Sequence, residues 1–328
     1  MLKKLSHFSL MILMLLASQQ TLACDHDEGL PTLLTHQSAT ADELPETLLQ
    51  EIEARLRASS TLYLPLEEEL AHLWQMTDFE LGRFLLLNGG INGYWTAYWL
   101  IHGPQKDLTN PLEHWLINKA PSFMASRERA GIFKRETQAR LKDGMCLASV
   151  PCGLMDDLVR LDYTNAPSAR LFGYDLDEAS LSLAKTNAAY HAPSQAATFY
   201  CVDAWKLPQD ASFDLLTSNG LNFYVPEDSA VITLYKTFFG ALKPGGVLIT
   251  SFLTPPPSAD PDSKWQLETP LDMQKQMAIF KDLMSAKWTG LRSEILSRTQ
   301  LQEAGFLIED VIYDSQGLFP TVIAKKPA

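Results

Sequence analysis

Cysteine is scarce in this chain. The 328 residues contain four, Cys24, Cys146, Cys152 and Cys201, too few and too scattered for a disulfide framework. No pair has CxxC spacing, no HExxH occurs, and no His/Cys cluster offers metal-ligand spacing. A structural zinc and a zinc hydrolase are therefore excluded. Basic charge is also short: 27 Lys and Arg stand against 39 Asp and Glu, a formal charge of −12, with no cluster of four or more Lys/Arg. Phosphate backbones repel such a chain, so nucleic acid is a poor partner. No apolar run reaches the roughly 20 residues of a comfortable membrane span. What is present is globular, with 46% hydrophobic, 20% charged and 10% aromatic residues. The length suits one large α/β domain with an appendage, or two ordinary domains.

Residues 1–23 open on Met1-Leu2-Lys3-Lys4, continue through an apolar stretch from Phe8 to Ala17, and reach Leu22-Ala23-Cys24. A short basic start, a short apolar stretch and a small residue before the break match a secretory or membrane-targeting signal. Leu22-Ala23-Cys24 also resembles a bacterial lipoprotein box, although Thr21 stands where leucine is preferred. A misassigned start, or an apolar helix packed on the body, fits the same residues. Localisation stays open between exported, membrane-associated and cytoplasmic. Residues 24–43 are polar and turn-rich and read as a linker.

Residues 44–140 read as all-helical. Leu48, Ile52 and Leu56 share one helix face, and Leu66, Leu70, Leu73 and Trp74 mark a second helix. A third starts at Asp78 as N-cap and stops at Asn88-Gly89-Gly90. The glycine-rich run Gly89–Gly93 follows a helix and not a strand, which argues against a phosphate loop. Tyr94, Trp95, Tyr98 and Trp99 form an aromatic stripe: either core, or a wall over a substrate. Arg83, Arg127 and Arg129 are surface or salt-bridging residues, or grip a ligand carboxylate.

From residue 141 the pattern changes to strands alternating with helices. Strands are expected at Met145–Val150, Ala169–Tyr174, Ala197–Val202, Phe213–Thr217 and Val247–Phe252. Helices are expected at Leu154–Leu161, Asp177–Tyr190 and Ser229–Leu242. Four strand–helix–strand steps predict a doubly wound α/β fold: an open, mostly parallel sheet with helices on both faces. Ligands in such sheets lie across the carboxyl ends of the strands. Asp175 closes the second strand, where an acid can accept both hydroxyl protons of a ribose. The first turn has one glycine, Gly153, and lacks G-x-G-x-x-G. A ribose without a diphosphate site disfavours NAD and FAD.

Residues 143–328 resemble a class I S-adenosylmethionine-dependent methyltransferase. The resemblance rests on Leu171–Asp177, Asp203–Pro208, Phe213–Asn219, Leu242–Leu248, and Leu301–Phe306 with the strands Leu307–Tyr313 and Phe319–Lys325. It implies a Rossmann-like methyltransferase fold with an antiparallel final strand, and S-adenosyl-L-methionine as cofactor. It implies a cofactor site of Ser149, Pro151, Cys152, Gly153, Asp175, Leu176, Asp203, Ala204, Trp205, Ser218 and Asn219, with Met155 packing near the methionine moiety. The family's first motif usually reads acid then G-x-G-x-G; here Ser149 replaces the acid and one glycine remains.

Each residue also has an ordinary structural role open to it. Asp175 could cap the next helix, though Asp177 is better placed. Asp203, Asn219 and Asn222 could be turn formers, Cys146 and Cys152 packing thiols, and His102 and His191 surface residues. A sulfonium methyl needs chiefly in-line positioning of a nucleophile, with aromatic rings such as Tyr94, Trp95 or Trp205 facing the cation. His102 and Asn222 are the catalytic candidates; Tyr94, Trp95, Asn222 and Tyr224 are the substrate-binding candidates. Residues 254–292 form a helical insertion expected to wall the acceptor pocket and help shut out water. The expected activity is methyl transfer to a small-molecule or lipid-like acceptor, with no metal and with membrane association through the N-terminus an open possibility. The alternative is a non-catalytic binding or regulatory protein on the same fold. An exported chain would need its cofactor supplied from outside the cytoplasm that makes it.

Overall fold

The computed structural model describes residues 44–266 and 270–328. The signal-like segment and the linker lie outside the described residues. Helices α1 (Glu46–Ala58), α2 (Leu66–Thr77) and α3 (Glu80–Asn88) come first. The leucine pattern sets their buried faces, with Ile52, Leu56, Leu70 and Leu73 inside. Trp74 instead stands 51% exposed. Asp78 ends α2 in right-handed helical conformation and does not cap α3, whose N-cap position is the extended Phe79. Gly89 stops α3 in the left-handed region, φ 60°, where a side chain would be strained.

Next come α4 (Gly93–Ala97), which runs into a π-helical turn at Tyr98–His102, then α5 (Pro111–Asn118) and α6 (Pro121–Arg140). The helical core of Leu73, Phe84 and Leu116 is completed by Ile279, Phe280 and Leu283 from the insertion. The helical region and the insertion thus share one apolar cluster. Helix α6 reaches three: Phe123 enters the helical core, Ala125 meets Phe223 and Phe319, and Phe133 packs under the sheet.

The sheet has seven strands: β1 (Cys146–Ser149), β2 (Arg170–Asp175), β3 (Ala196–Cys201), β4 (Phe213–Ser218), β5 (Leu242–Ser251), β6 (Leu307–Ile312) and β7 (Thr321–Lys325). Their order is β3-β2-β1-β4-β5-β7-β6. β7 runs antiparallel to both neighbours and the pairings among β1–β5 are parallel. Alternation along the strands feeds two cores. Leu147, Leu215 and Ile249 face Phe133, Leu158 and Leu181, whereas Leu216 and Leu248 face Tyr235, Phe238 and Leu301. These residues belong to α6, α7 (Asp156–Val159) and α8 (Glu178–His191) on one side, and to α9 (Asp228–Ala241) and α11 (Glu294–Glu303) on the other. Helix α10 (Pro270–Met277) lies in the insertion.

Three local expectations differ. Helix α7 is one turn long and does not run from Leu154 to Leu161. The β3–β4 connection holds a 3-10 turn, Ala204–Lys206, and no α-helix. Lys243–Gly246 forms a bulge inside β5: Phe213 pairs with Leu242 and Leu215 with Val247, while Gly245 takes φ 77°. No described helix is long and apolar enough to cross a membrane.

Candidate active site

From β1 the chain order moves one way to β2 and β3 and the other way to β4 and β5, so a crevice opens at the carboxyl ends of β1 and β4. A cavity of about 690 Å³ lies there, within the usual range for small-molecule sites. Ser149, Pro151, Cys152, Gly153, Asp175, Leu176, Asp203, Ala204, Trp205 and Asn219 all line it. The fold therefore gathers all but one of the expected cofactor residues at a single wall. The exception is Ser218, which is buried within β4 and does not line the cavity. The reason is strand alternation: at the last residue of β4 the side chain is covered by neighbouring elements, and the next residue reaches the crevice.

Asp175 organises this wall. Its Oδ2 accepts from the Gly153 N–H at 2.8 Å and its Oδ1 from the Asp177 N–H at 3.0 Å. Gly153 sits in the left-handed region, φ 49°. Burial pushes the Asp175 pKa up to about 6, against the backbone N–H groups that lower it. Each carboxylate oxygen keeps accepting capacity beyond its one backbone bond. Helix capping is done by Asp177, which accepts from Ala179 N–H at 3.1 Å and Ser180 Oγ at 2.6 Å. Asp203 lines the cavity and shapes its turn, accepting from the Trp205 N–H at 3.0 Å. The Trp205 ring is fixed by its Nε1–H, which donates to the Ala230 carbonyl at 3.0 Å.

One site residue was not legible beforehand. Asp157, on α7, is half-buried at the cavity and accepts from Ser149 Oγ at 3.0 Å and Thr217 Oγ1 at 2.5 Å. Burial raises its pKa. A carboxylate thus does stand at the end of β1 beside Ser149, supplied from the helix. The only signal was the pair Asp156-Asp157 close after Gly153, which reads equally as an exposed helix start.

Several candidates fall elsewhere. Tyr94 and Trp95 do not line the cavity; they pack into the helical core, edge to face at 4.9 Å. The cavity wall is the other face of that helix, Asn92, Gly93, Thr96, Ala97, Leu100 and Ile101, together with Trp99. Helical spacing permits both faces, and the larger rings go where more apolar surface is buried. Asn222 is buried away from the cavity, its Nδ2 donating to Tyr235 Oη at 3.1 Å and the Ser251 carbonyl at 3.0 Å. His102 does not line the cavity either; its neighbours in charge are Asp156, Arg160 and Lys106, and burial lowers its pKa. Met155 belongs to the core beneath the sheet. Tyr224 does line the cavity, and burial raises its pKa to about 12. No histidine lines the cavity among the described residues.

The helical region touches the first turn directly. A Cβ on Gly93 would stand 2.6 Å from Gly153 Cα and 2.7 Å from Ser180 Oγ. The far end of the cavity is aromatic, with Trp99, Tyr224, Phe280 and Trp288 on its walls. Trp288 makes edge contacts with Phe280 at 5.1 Å and Tyr224 at 6.4 Å. The insertion supplies Trp265, Gln276, Phe280 and Trp288 to this end.

Residues 150–246 match the family model of a methyltransferase domain. These residues form a class I S-adenosylmethionine-dependent methyltransferase domain. Over 86% of its length it is 42% identical to a solved structure described as a possible exported protein from Bordetella parapertussis, covering 95% of that chain with a TM-score of 0.81. A methyltransferase from Methanosarcina mazei shares 18% identity over 58% of this chain and 97% of its own, with a TM-score of 0.43. One from Aquifex aeolicus shares 15% over 62% and 93%, with a TM-score of 0.42. Neither of these two is similar enough to bear on substrate. No curated protein matches the chain.

The wall fits the family's cofactor on its own chemistry. Asp175 offers a half-buried acceptor at the end of β2, and Asn219 Oδ1 is buried at the same wall without a hydrogen-bond partner. A buried acceptor left unpaired is costly, and a hydroxyl or amino donor would satisfy it.

Proposed function

We propose that this methyltransferase binds S-adenosylmethionine and methylates a small-molecule acceptor, aromatic or lipid-like, by direct in-line displacement. The observation that carries this reading is a single cavity that joins the polar wall at Asp175 to an apolar, aromatic chamber. When bound, the cofactor would supply an activated sulfonium methyl to an acceptor lone pair, with S-adenosylhomocysteine as leaving group and the displaced acceptor proton passing to solvent. Asp175 receives the ribose hydroxyls, and Asp203 and Asn219 offer acceptors further along the wall. Asp157 adds negative charge beside Ser149, where an amino group would meet it. Trp205 presents a fixed ring. Trp99, Phe280 and Trp288 exclude water from the acceptor, which concentrates it against the methyl. With His102 outside the cavity, positioning carries more of the rate than proton abstraction does.

The amino-terminal segment is read as a secretion or membrane-targeting signal, in keeping with the description of the Bordetella relative. Replacement of the family's usual first motif by Ser149–Met155 favours one second reading, a binding protein that has lost turnover. Calorimetric titration of the full chain with S-adenosylmethionine and S-adenosylhomocysteine, with Asp175→Ala as control, tests both. Binding weakened tenfold or more by the substitution, about 1.4 kcal/mol, supports the cofactor site. Release of S-adenosylhomocysteine with an acceptor then separates enzyme from binding protein. A folded chain with no affinity for either compound sinks both readings.

A further inference from the structure

The three arginines of the helical region divide into two kinds. Arg83 Nη1 donates to the Thr77 carbonyl at 2.8 Å, and Arg127 Nη2 to the Trp99 and Ile117 carbonyls at 3.0 and 2.7 Å. Both tie backbone together; Arg127 also lines the cavity, but only its Nε is left unmet. Arg129 is different: it is 6% exposed, lines the cavity, and its Nε and Nη1 have no hydrogen-bond partner. Its guanidinium lies over the rings of Phe223 and Phe319, 5.2 and 4.8 Å from their centroids. Phe223 belongs to the turn Leu221–Tyr224 that follows β4, so the charge is held at the acceptor end.

Asp314 attracts Arg129 electrostatically. Its carboxylate, however, is taken up by the N–H groups of Gln316, Leu318 and Phe319, at 3.1, 3.2 and 2.6 Å. It leaves the Nε and Nη1 donors of Arg129 unmet. Burial lowers the guanidinium pKa to about 10, which keeps it cationic at neutral pH. The two rings compensate part of its lost hydration. They satisfy none of its N–H donors, and a buried cation with unused donors favours an anion that can reach it. Guanidinium suits a carboxylate best, by geometry and by charge. Tyr224, which interacts electrostatically with Arg129, meets Trp288, and Trp288 meets Trp99 and Phe280; this run of rings along the cavity suits an aromatic body.

We propose that the acceptor is a small aromatic carboxylate whose anionic group is held by Arg129, the residue that sets specificity in this cavity. The inference rests on the methyl-transfer reading of the same cavity. Arg129 orients the acceptor and takes no part in bond making.

The test uses the full chain saturated with S-adenosylhomocysteine. Benzoate, 2-naphthoate and biphenyl-4-carboxylate are each titrated against their neutral primary amides. At least one acid binds the wild-type chain about tenfold or more tighter than its amide. Arg129→Met abolishes that preference while amide and S-adenosylhomocysteine affinities stay unchanged; Arg129→Lys retains part of it. A residue serving only to hold Phe223 and Phe319 in place would shift both members of a pair alike. Absence of any acid preference in all three wild-type pairs overturns the proposal, as does a preference that survives in Arg129→Met. If Arg129→Met fails to fold, Arg129→Lys decides: a reduced acid preference supports the proposal, and an unchanged one overturns it, because Arg127 and Lys281 also line the cavity. Failure to bind S-adenosylhomocysteine overturns the methyl-transfer reading itself, whereas binding it without acid preference overturns only the role of Arg129.

Discussion

Asp175→Asn preserves shape and removes charge, so it tests the cofactor wall at one atom. The native carboxylate accepts two backbone N–H groups, from Gly153 and Asp177. An amide can accept only one of them and sets its own N–H against the other. It also loses a charge-assisted bond to a ribose hydroxyl, worth about 1.5–3 kcal/mol, or about 10- to 150-fold in affinity. The wild-type group titrates at about 6 because burial disfavours its ionised form. Raised above its unfolded value, this pKa makes the group's contribution to the free fold fall as pH rises through 6, while the ionised form that ribose needs becomes populated. If only that form binds, wild-type affinity at pH 5 is about elevenfold weaker than at pH 8. The asparagine does not titrate. Calorimetry with S-adenosylhomocysteine at pH 8 and pH 5 should therefore show a large gap between the two proteins that narrows by about that factor. A gap equal at both pH values refutes the reasoning, because the ionisation of Asp175 would then be irrelevant to binding.

Gly93→Ala places a Cβ against Gly153 and Ser180; overpacking of this kind costs about 1–3 kcal/mol. Thermal unfolding should fall and S-adenosylhomocysteine affinity with it, and a variant unchanged in both would mean that the helical region does not press on the first turn. Asn222→Ala removes donors from Tyr235 and the Ser251 carbonyl, lowering stability by about 1–3 kcal/mol. Cofactor affinity of the folded fraction should stay constant, and a selective loss of turnover would restore Asn222 as a catalytic candidate. His102→Ala should leave the pH profile of methyl transfer unchanged, since the side chain does not line the cavity; loss of a titration step near neutral pH would contradict that placement.

Legibility differed from residue to residue for physical reasons. Strands β1, β2 and β4 were visible because their apolar runs are buried by both cores. Asp175 was visible because it follows such a run directly. Helix α6 was not, since it serves three apolar clusters and so presents no single repeating face. The bulge at Lys243–Gly246 falls between the expected helix Ser229–Leu242 and strand Val247–Phe252, where its glycines suit a turn as well as a bulge.

The sequence by itself determined the α/β alternation, the helical region ahead of it, and the acids at the ends of β2 and β3, all of which depend on short-range periodicity and turn chemistry. Only the tertiary structure decided which face of α4 meets the cavity. It alone placed the Asp157 carboxylate beside Ser149 and left Arg129 buried without acceptors for two of its nitrogens. Those outcomes depend on how residues far apart in the chain share buried space. Desolvation and unmet hydrogen bonds arise from that sharing, and no local pattern encodes them.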